Sequence, residues 1–269
     1  MGFDRKMGRL FLTVLMLFVF AGCSRNEKVR QERSSRIACV STAAAAVLCK
    51  MGTAPAAVDE YCLDLVAPGT PVAGKGTALS PERLLELKID TLVHWSYQRN
   101  ALEHLSRYGI RLVEVAPVRV ANFPELVRKM ETLTGKKEAS EKIIAEFLTI
   151  FSTLKQERKA FKRVYLELYS RNRGAGDDSY SGDLLRLAGG RSILKKSALT
   201  SSEHIITQNP EVIFYVEGMG SAEEIMKRSG FSSLEAVKSK RVFAVPRKLL
   251  VEGAFPLEAV EFFRKRMDQ

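Results

Sequence analysis

Eight side chains that combine flat rings with fixed positive charge sit where strands are expected to end: Tyr61, Trp95, Tyr97, Arg119, Arg171, Arg173, Tyr180 and Arg247. Rings supply apolar walls, and guanidinium groups supply permanently charged forks for carboxylate or phenolate oxygen. In open α/β sheets the ligand crevice lies beyond the carboxyl ends of the strands, so the set suits a flat or compact anionic ligand. A second chemical feature is paired. Leu79 to Trp95 and Thr200 to Val216 align without a gap, 121 positions apart, each reading as a helix followed by a strand. In each copy a serine precedes a glutamate by two residues, Ser80 with Glu82 and Ser201 with Glu203. Locally, the serine caps free backbone N–H groups and the glutamate favours the positive end of the helix. Two equivalent carboxylates on twin lobes also offer matched docking points for a two-fold partner.

Other chemistries find little support. The chain has no G-x-S-x-G elbow, no H-E-x-x-H helix and no C-x-x-C pair. His94, His104 and His204 lack a metal-ligand spacing, and the Gly174 and Gly218 stretches lack the lysine and serine of a phosphate loop. Asp177 and Asp178 read as a turn, since a calcium loop needs acceptors at more positions. No catalytic residue and no resident cofactor or metal is expected.

The elements that would position the ligand residues alternate. A short apolar strand from Arg36 leads into an alanine-rich helix, Thr42 to Met51. Helix Pro81 to Leu87, strand Thr91 to His94, helix Ala101 to Tyr108 and strand Arg111 to Val115 follow, with Gly109 as a stop. A helix from Pro124 to Leu133 ends at Gly135. The run Lys136 to Ala160 contains neither Pro nor Gly and stripes Ala139, Ile143, Ile144, Phe147, Leu148, Phe151 and Leu154 along one face. A second alternating series starts at strand Arg163 to Tyr169 and closes on helix Leu257 to Met267. This order predicts an α/β protein of two lobes, each with a mainly parallel central sheet flanked by helices, joined by one long helix. The expected divisions are an N-terminal lobe over 36–135, a connecting helix over 136–160 and a C-terminal lobe over 161–269.

The N-terminus reads as an export signal rather than as fold. Arg5, Lys6 and Arg9 precede an apolar run from Leu10 to Ala21, then Gly22 and Cys23. Twelve residues span only about 18 Å as a helix, short of a bilayer core. Small residues leading into Cys23 resemble a bacterial lipobox, so residues 1–22 are expected to be removed and Cys23 to carry lipid, with 23–35 as a polar tether. Losing residues 1–22 lowers the formal charge from +11 to +9, which favours an anionic partner. Export argues against nucleic acid. Cys39, Cys49 and Cys62 remain, an odd number in an oxidising compartment, with Cys49 to Cys62 a candidate disulfide.

Several segments in order carry a family resemblance: RIACVSTAAAAVL at Arg36 to Leu48, VDEYC at Val58 to Cys62, LSPERLLELKIDTLV at Leu79 to Val93, GDLLRLAGG at Gly182 to Gly190 and SSEHIITQNPEVIF at Ser201 to Phe214. Together with the long helix they resemble the class III substrate-binding proteins of ABC importers for iron siderophores, haem and cobalamin, over about Arg36 to Met267. Pro246 to Pro256 departs from the family's pattern. The resemblance implies small closure about a rigid helix and a bound iron or cobalt chelate. It also implies a monomer delivering ligand to a permease dimer, on which Glu82 and Glu203 pair with arginines of the two subunits. It leaves ferric siderophore, haem and cobalamin open, with His94 the histidine best placed to reach a haem iron. An exported ligand sensor or assembly lipoprotein on the same fold, or an exported enzyme using the cleft, are the alternatives.

Overall fold

The computed structural model describes residues 35–154 and 161–269, and the expected signal, Cys23 and tether residues up to 34 lie outside them. Ser35 to Gln269 form one compact unit built on two sheets. The first sheet contains β1 (Ile37–Cys39), β2 (Ala57–Asp59), β3 (Val72–Lys75), β4 (Ala78–Leu79), β5 (Thr91–Trp95) and β6 (Arg111–Val115) in the order β4-β3-β2-β1-β5-β6. All its pairings are parallel except the β3–β4 hairpin. The second contains β7 (Lys162–Glu167), β8 (Arg173–Gly174), β9 (Gly190–Ser192), β10 (Ala198–Leu199), β11 (Val212–Val216) and β12 (Val242–Val245), with β7 at its centre. There β9, β11 and β12 run parallel to β7, while the short β8 is antiparallel to both of its neighbours, β7 and β10. Central strands such as β5, buried along its whole length, read in sequence as continuous apolar runs because helices cover both faces.

The duplicated unit is real. Helix Pro81–Glu86 feeds β5 and helix Ser202–Gln208 feeds β11, at matching positions in the two sheets. Gly109 and Gly135 end their elements in the left-handed conformation. The stretch Ala101 to Tyr108, expected as one helix, is instead a short α-helix Arg99–Leu102 running into a 3₁₀ segment Glu103–Tyr108.

Helix Lys137–Leu154 takes up the connecting position, and 155–160 lie outside the described residues. Ile143, Phe147, Phe151 and Leu154 are buried at helical spacing, with Ala139 and Ile144 packed beside them. Leu148 does not join the stripe: it follows Phe147 by about 100° of helix rotation and is 54 % exposed. Phe147 stacks on Phe123 at 4.1 Å and meets Phe151 at 4.4 Å between ring centres. One continuous apolar cluster takes in these rings, Cys39, Val93 and Val115 of the first sheet, and Leu166 and Phe214 of the second. Each buried phenylalanine contributes roughly 1.5–3 kcal/mol, and the cluster joins the two halves through a shared core.

Candidate functional site

The strand orders locate the site before any side chain is considered. In the first sheet the chain winds from β1 outward to β2 and β3, then crosses back to β5 and β6. In the second, β9 and β11 lie on opposite sides of β7. The switch points therefore lie at the carboxyl ends of β1 and β5 in one sheet and of β7 and β11 in the other. Tyr97 follows β5 by two residues and Tyr169 follows β7 by two.

Contacts between the halves bring these ends together. One Nη of Arg247, just after β12, donates to the Tyr61 carbonyl at 2.9 Å, and its guanidinium lies over the Tyr61 ring at 5.0 Å. Tyr61 itself leads the turn after β2 and is 42 % exposed. Tyr97 is largely open to solvent. Desolvation at its hydroxyl, together with the charges of Glu252, Tyr169 and Asp59, pushes the phenol up to about 12. Burial raises the Tyr169 phenol too, and Glu252 adds to the effect. Tyr61, Tyr97 and Arg247 thus converge with Tyr169 and Glu252, two residues that the sequence reading passed over.

The other expected ligand residues take different places. Trp95 is buried behind Tyr97 and stacks on it, 6.1 Å between centres and 11° between planes. Tyr180 is also buried, with the Gly253 backbone N–H at its hydroxyl. Arg119 serves as a clamp between the halves. Its Nε donates to Asp183 Oδ2 at 2.9 Å, one Nη donates to the other carboxylate oxygen, and the same Nη donates to the Asp177 carbonyl at 2.9 Å. Arg171 lines a different pocket with Glu167, Met219, Gly220, Glu224 and Arg228, where Arg228 is held bidentately by the buried Glu167 at 2.6 and 2.7 Å. Arg173 is exposed on the short strand β8, between β7 and β10. The His94 side chain is buried, and its Nδ1–H donates to the Trp95 carbonyl at 2.8 Å, so it does not reach the cleft. Cys39, Cys49 and Cys62 are free thiols, and no Cys49 to Cys62 bridge forms.

The paired carboxylates occupy equivalent positions. Ser80 caps helix Pro81–Glu86 and Ser201 caps helix Ser202–Gln208, each accepting from a backbone N–H at 3.1 Å. Glu82 and Glu203 stand exposed in the first turns. Their own backbone N–H groups, then the serine hydroxyls, hold both carboxyls below the usual range, so both are ionised at neutral pH. A helix that feeds a parallel strand runs against it, which sets both carboxylates on the rim where the strands end.

Among the described residues no cluster of His, Cys, Asp and Glu could hold a metal ion, and no helix is long and apolar enough to cross a membrane. The sequence profile of the family described as periplasmic binding protein matches residues 37–249. No curated protein sequence matches the chain. Among solved structures it is similar to a periplasmic heme binding protein from Pseudomonas aeruginosa, at TM-score 0.76 and 16 % identity over 87 % of this chain and 92 % of that one. It is also similar to the periplasmic heme-binding protein RhuT from Roseiflexus sp. RS-1, at TM-score 0.75 and 17 % identity over 87 % and 99 % of the two chains. The periplasmic vitamin B12 binding protein BtuF of Vibrio cholerae aligns at TM-score 0.70 and 20 % identity, over 87 % and 96 %. At such identities the likeness is one of fold.

Proposed function

We propose that this chain, which belongs to the periplasmic binding protein family, is the exported, lipid-anchored substrate-binding component of an ABC importer for a metal chelate. The chelate is a ferric siderophore, haem or cobalamin, bound without covalent change and passed to a permease dimer. In this reading Cys23 carries the lipid, 36–135 and 161–269 are the lobes, 136–160 connects them, and the protein acts as a monomer.

The observation that supports it most is the meeting of two sheet switch points across one cleft, with Tyr97 on one side and Tyr169 on the other. Tyr61 and Arg247 close one flank as a stacked pair contributed by both halves. Trp95 and Tyr180 back the wall, and Arg119 keeps the halves in register through Asp183. Arg171 and Arg173 extend positive charge along the rim after β7. Solved structures of this fold carry names of haem and vitamin B12 binders, which supports the ligand class. Glu82 and Glu203 provide the docking points.

Titration of the purified protein with hemin, a ferric tris-catecholate and cyanocobalamin tests the reading. Trp95 is the single tryptophan and stacks on a cleft residue, so its fluorescence reports occupancy directly. Saturable quenching by one of the three, at a stoichiometry matched by calorimetry, is the expected result. Absence of saturable binding to all three would overturn it.

A further inference from the structure

The turn between β7 and β8 brings two guanidinium groups to the rim beside Glu203. At its corner Asn172 adopts the left-handed φ of 61° and is tied to the start of helix Ser202–Gln208 by two bonds. Its carbonyl accepts from the Thr200 N–H at 2.8 Å, and its Nδ2 donates to Ser202 Oγ at 3.2 Å, one residue before Glu203. From beneath, the Asn172 N–H donates at 2.9 Å to the buried Glu167, the carboxylate that holds Arg228 bidentately. Arg171 and Arg173 flank Asn172 and are thereby fixed to the same rim, with Arg173 opposite Leu199 in the β8–β10 ladder. Both arginines are exposed, and among the described residues neither side chain forms an ion pair or a hydrogen bond. Beside them a cavity of about 350 Å³ opens between the loops after β7 and β11, lined by Arg171, Met219, Gly220, Glu224 and the Glu167–Arg228 pair. Glu224 is engaged by the Ser221 N–H at 2.8 Å and Glu167 by Arg228, so Arg171 is the cation that this cavity leaves without a partner. Apolar surface adjoins the charge, since Met219 and Leu199 are 45 % and 69 % exposed. The matching place in the first lobe differs. There Lys75 stands opposite Ala78 as Arg173 stands opposite Leu199, but Lys75 is on Glu60 at 3.0 Å and lies over the Tyr61 ring.

We propose that Arg171 and Arg173 are docking residues, and that the permease subunit meeting this lobe presents to them an acidic segment carrying an apolar side chain. This rests on the docking reading of Glu203 above. A guanidinium with no partner, on a turn already held by three hydrogen bonds to its corner residue, offers a carboxylate a two-pronged contact with little further ordering of the backbone. Glu203 lies next to these cations, so the face is bipolar. A partner of one sign would be repelled at one of the two places, whereas an arginine for Glu203 and a carboxylate for Arg171 and Arg173 fit in a single register. The cavity behind Met219 receives the apolar side chain, and arginine with methionine is the pairing in which protein interfaces are enriched. In the first lobe the equivalent cation is already engaged by Glu60, which leaves Glu82 to act alone. The two permease subunits are therefore gripped unequally, the more firmly at the second lobe.

The test measures binding of the full chain to phosphatidylcholine proteoliposomes that hold the permease with which it reconstitutes uptake. Wild type is compared with Arg171→Glu plus Arg173→Glu, and with Arg171→Ala plus Arg173→Ala, which sets no new carboxylate beside Glu167 and Glu224 should the first pair fold poorly. Both double variants are expected to dock roughly tenfold more weakly or worse at low salt, the reversal more than the truncation, with the gap narrowing at high salt. Affinity for hemin, a ferric tris-catecholate and cyanocobalamin is the second readout. A fall there with docking intact would return both arginines to the ligand and overturn the proposal. Full docking affinity in both variants would overturn it, as would a loss confined to permease-free phosphatidylglycerol vesicles. Glu82→Lys with Glu203→Lys, run alongside, separates the two readings. If that pair alone weakens docking, only the arginine assignment fails; if neither pair does, docking at this rim fails with it.

Discussion

Glu252 makes a prediction that needs no ligand. Its folded pKa lies above the ordinary carboxyl value, so its contribution to stability is fully present in acid, below the unfolded pKa of about 4.5, and is lost as pH rises through about 7. Above that range the charged form is a net cost. Glu252→Gln is therefore expected to be more stable than the wild type by on the order of 2 kcal/mol near pH 8, with the gap closing near pH 4.5. Urea melts at the two pH values measure it, and an equal gap at both would contradict it. Residues of this kind were only partly legible in sequence. Tyr61, Tyr97 and Arg247 follow from reading strand ends, because each lies within two residues of a strand's last position. Tyr169 was missed because the strand reads on to it while the ladder stops at Glu167. Glu252 sits seven residues past β12, in the stretch that departs from the family's pattern, where no periodicity points to a cleft. Arg119 and Trp95 have the right chemistry, but an interlobe carboxylate and a covering ring occupy them, and sequence does not disclose partners so distant.

Two connections hold the elements that shape the cleft. Gly253 adopts φ +71°, and a Cβ there would overlap the Phe123 ring. Gly253→Ala should cost on the order of 2–3 kcal/mol through backbone strain and overpacking, and should displace Glu252 with it. Arg119→Ala leaves Asp183, whose side chain is 11 % exposed, without its bidentate partner. A loss of about 2–4 kcal/mol is expected, read as a lower urea midpoint, while Arg119→Lys should recover only part of it because an ammonium lacks the fork. A midpoint unchanged by Arg119→Ala would show that the shared core alone aligns the halves. Helices and central strands were read well from sequence, since burial on both faces writes itself as continuous apolar runs. The β3–β4 hairpin and the short strands β8 and β10 were not, because two to four residues give no period to detect. The connecting helix was recognised by its stripe, but Leu148 shows that one apolar residue beside a stripe is no guide to its facing.

The molecule as a whole presents a twofold repeat to its partner and a single cleft to its ligand. Glu82→Lys combined with Glu203→Lys reverses charge at two exposed helix starts remote from the shared core, so reconstituted uptake should be lost while chelate affinity stays unchanged. Uptake that survives the double change would remove these residues from docking. Paired exposed contacts set orientation more than affinity, so either single change should give a partial defect. The duplication itself was the clearest message in the sequence, because a gapless match over a helix and a strand fixes both copies at once. How closely the halves pack was hidden, since it depends on Phe123, Phe147 and Phe151 meeting side chains from both sheets. The decisive measurement is calorimetric titration of the chelate that quenches Trp95 into the wild type, Tyr97→Ala and Tyr169→Ala, one ring from each half. Both variants should bind at least roughly tenfold more weakly, as truncated aromatic anchors do; full affinity in either would contradict a ligand seated between the lobes.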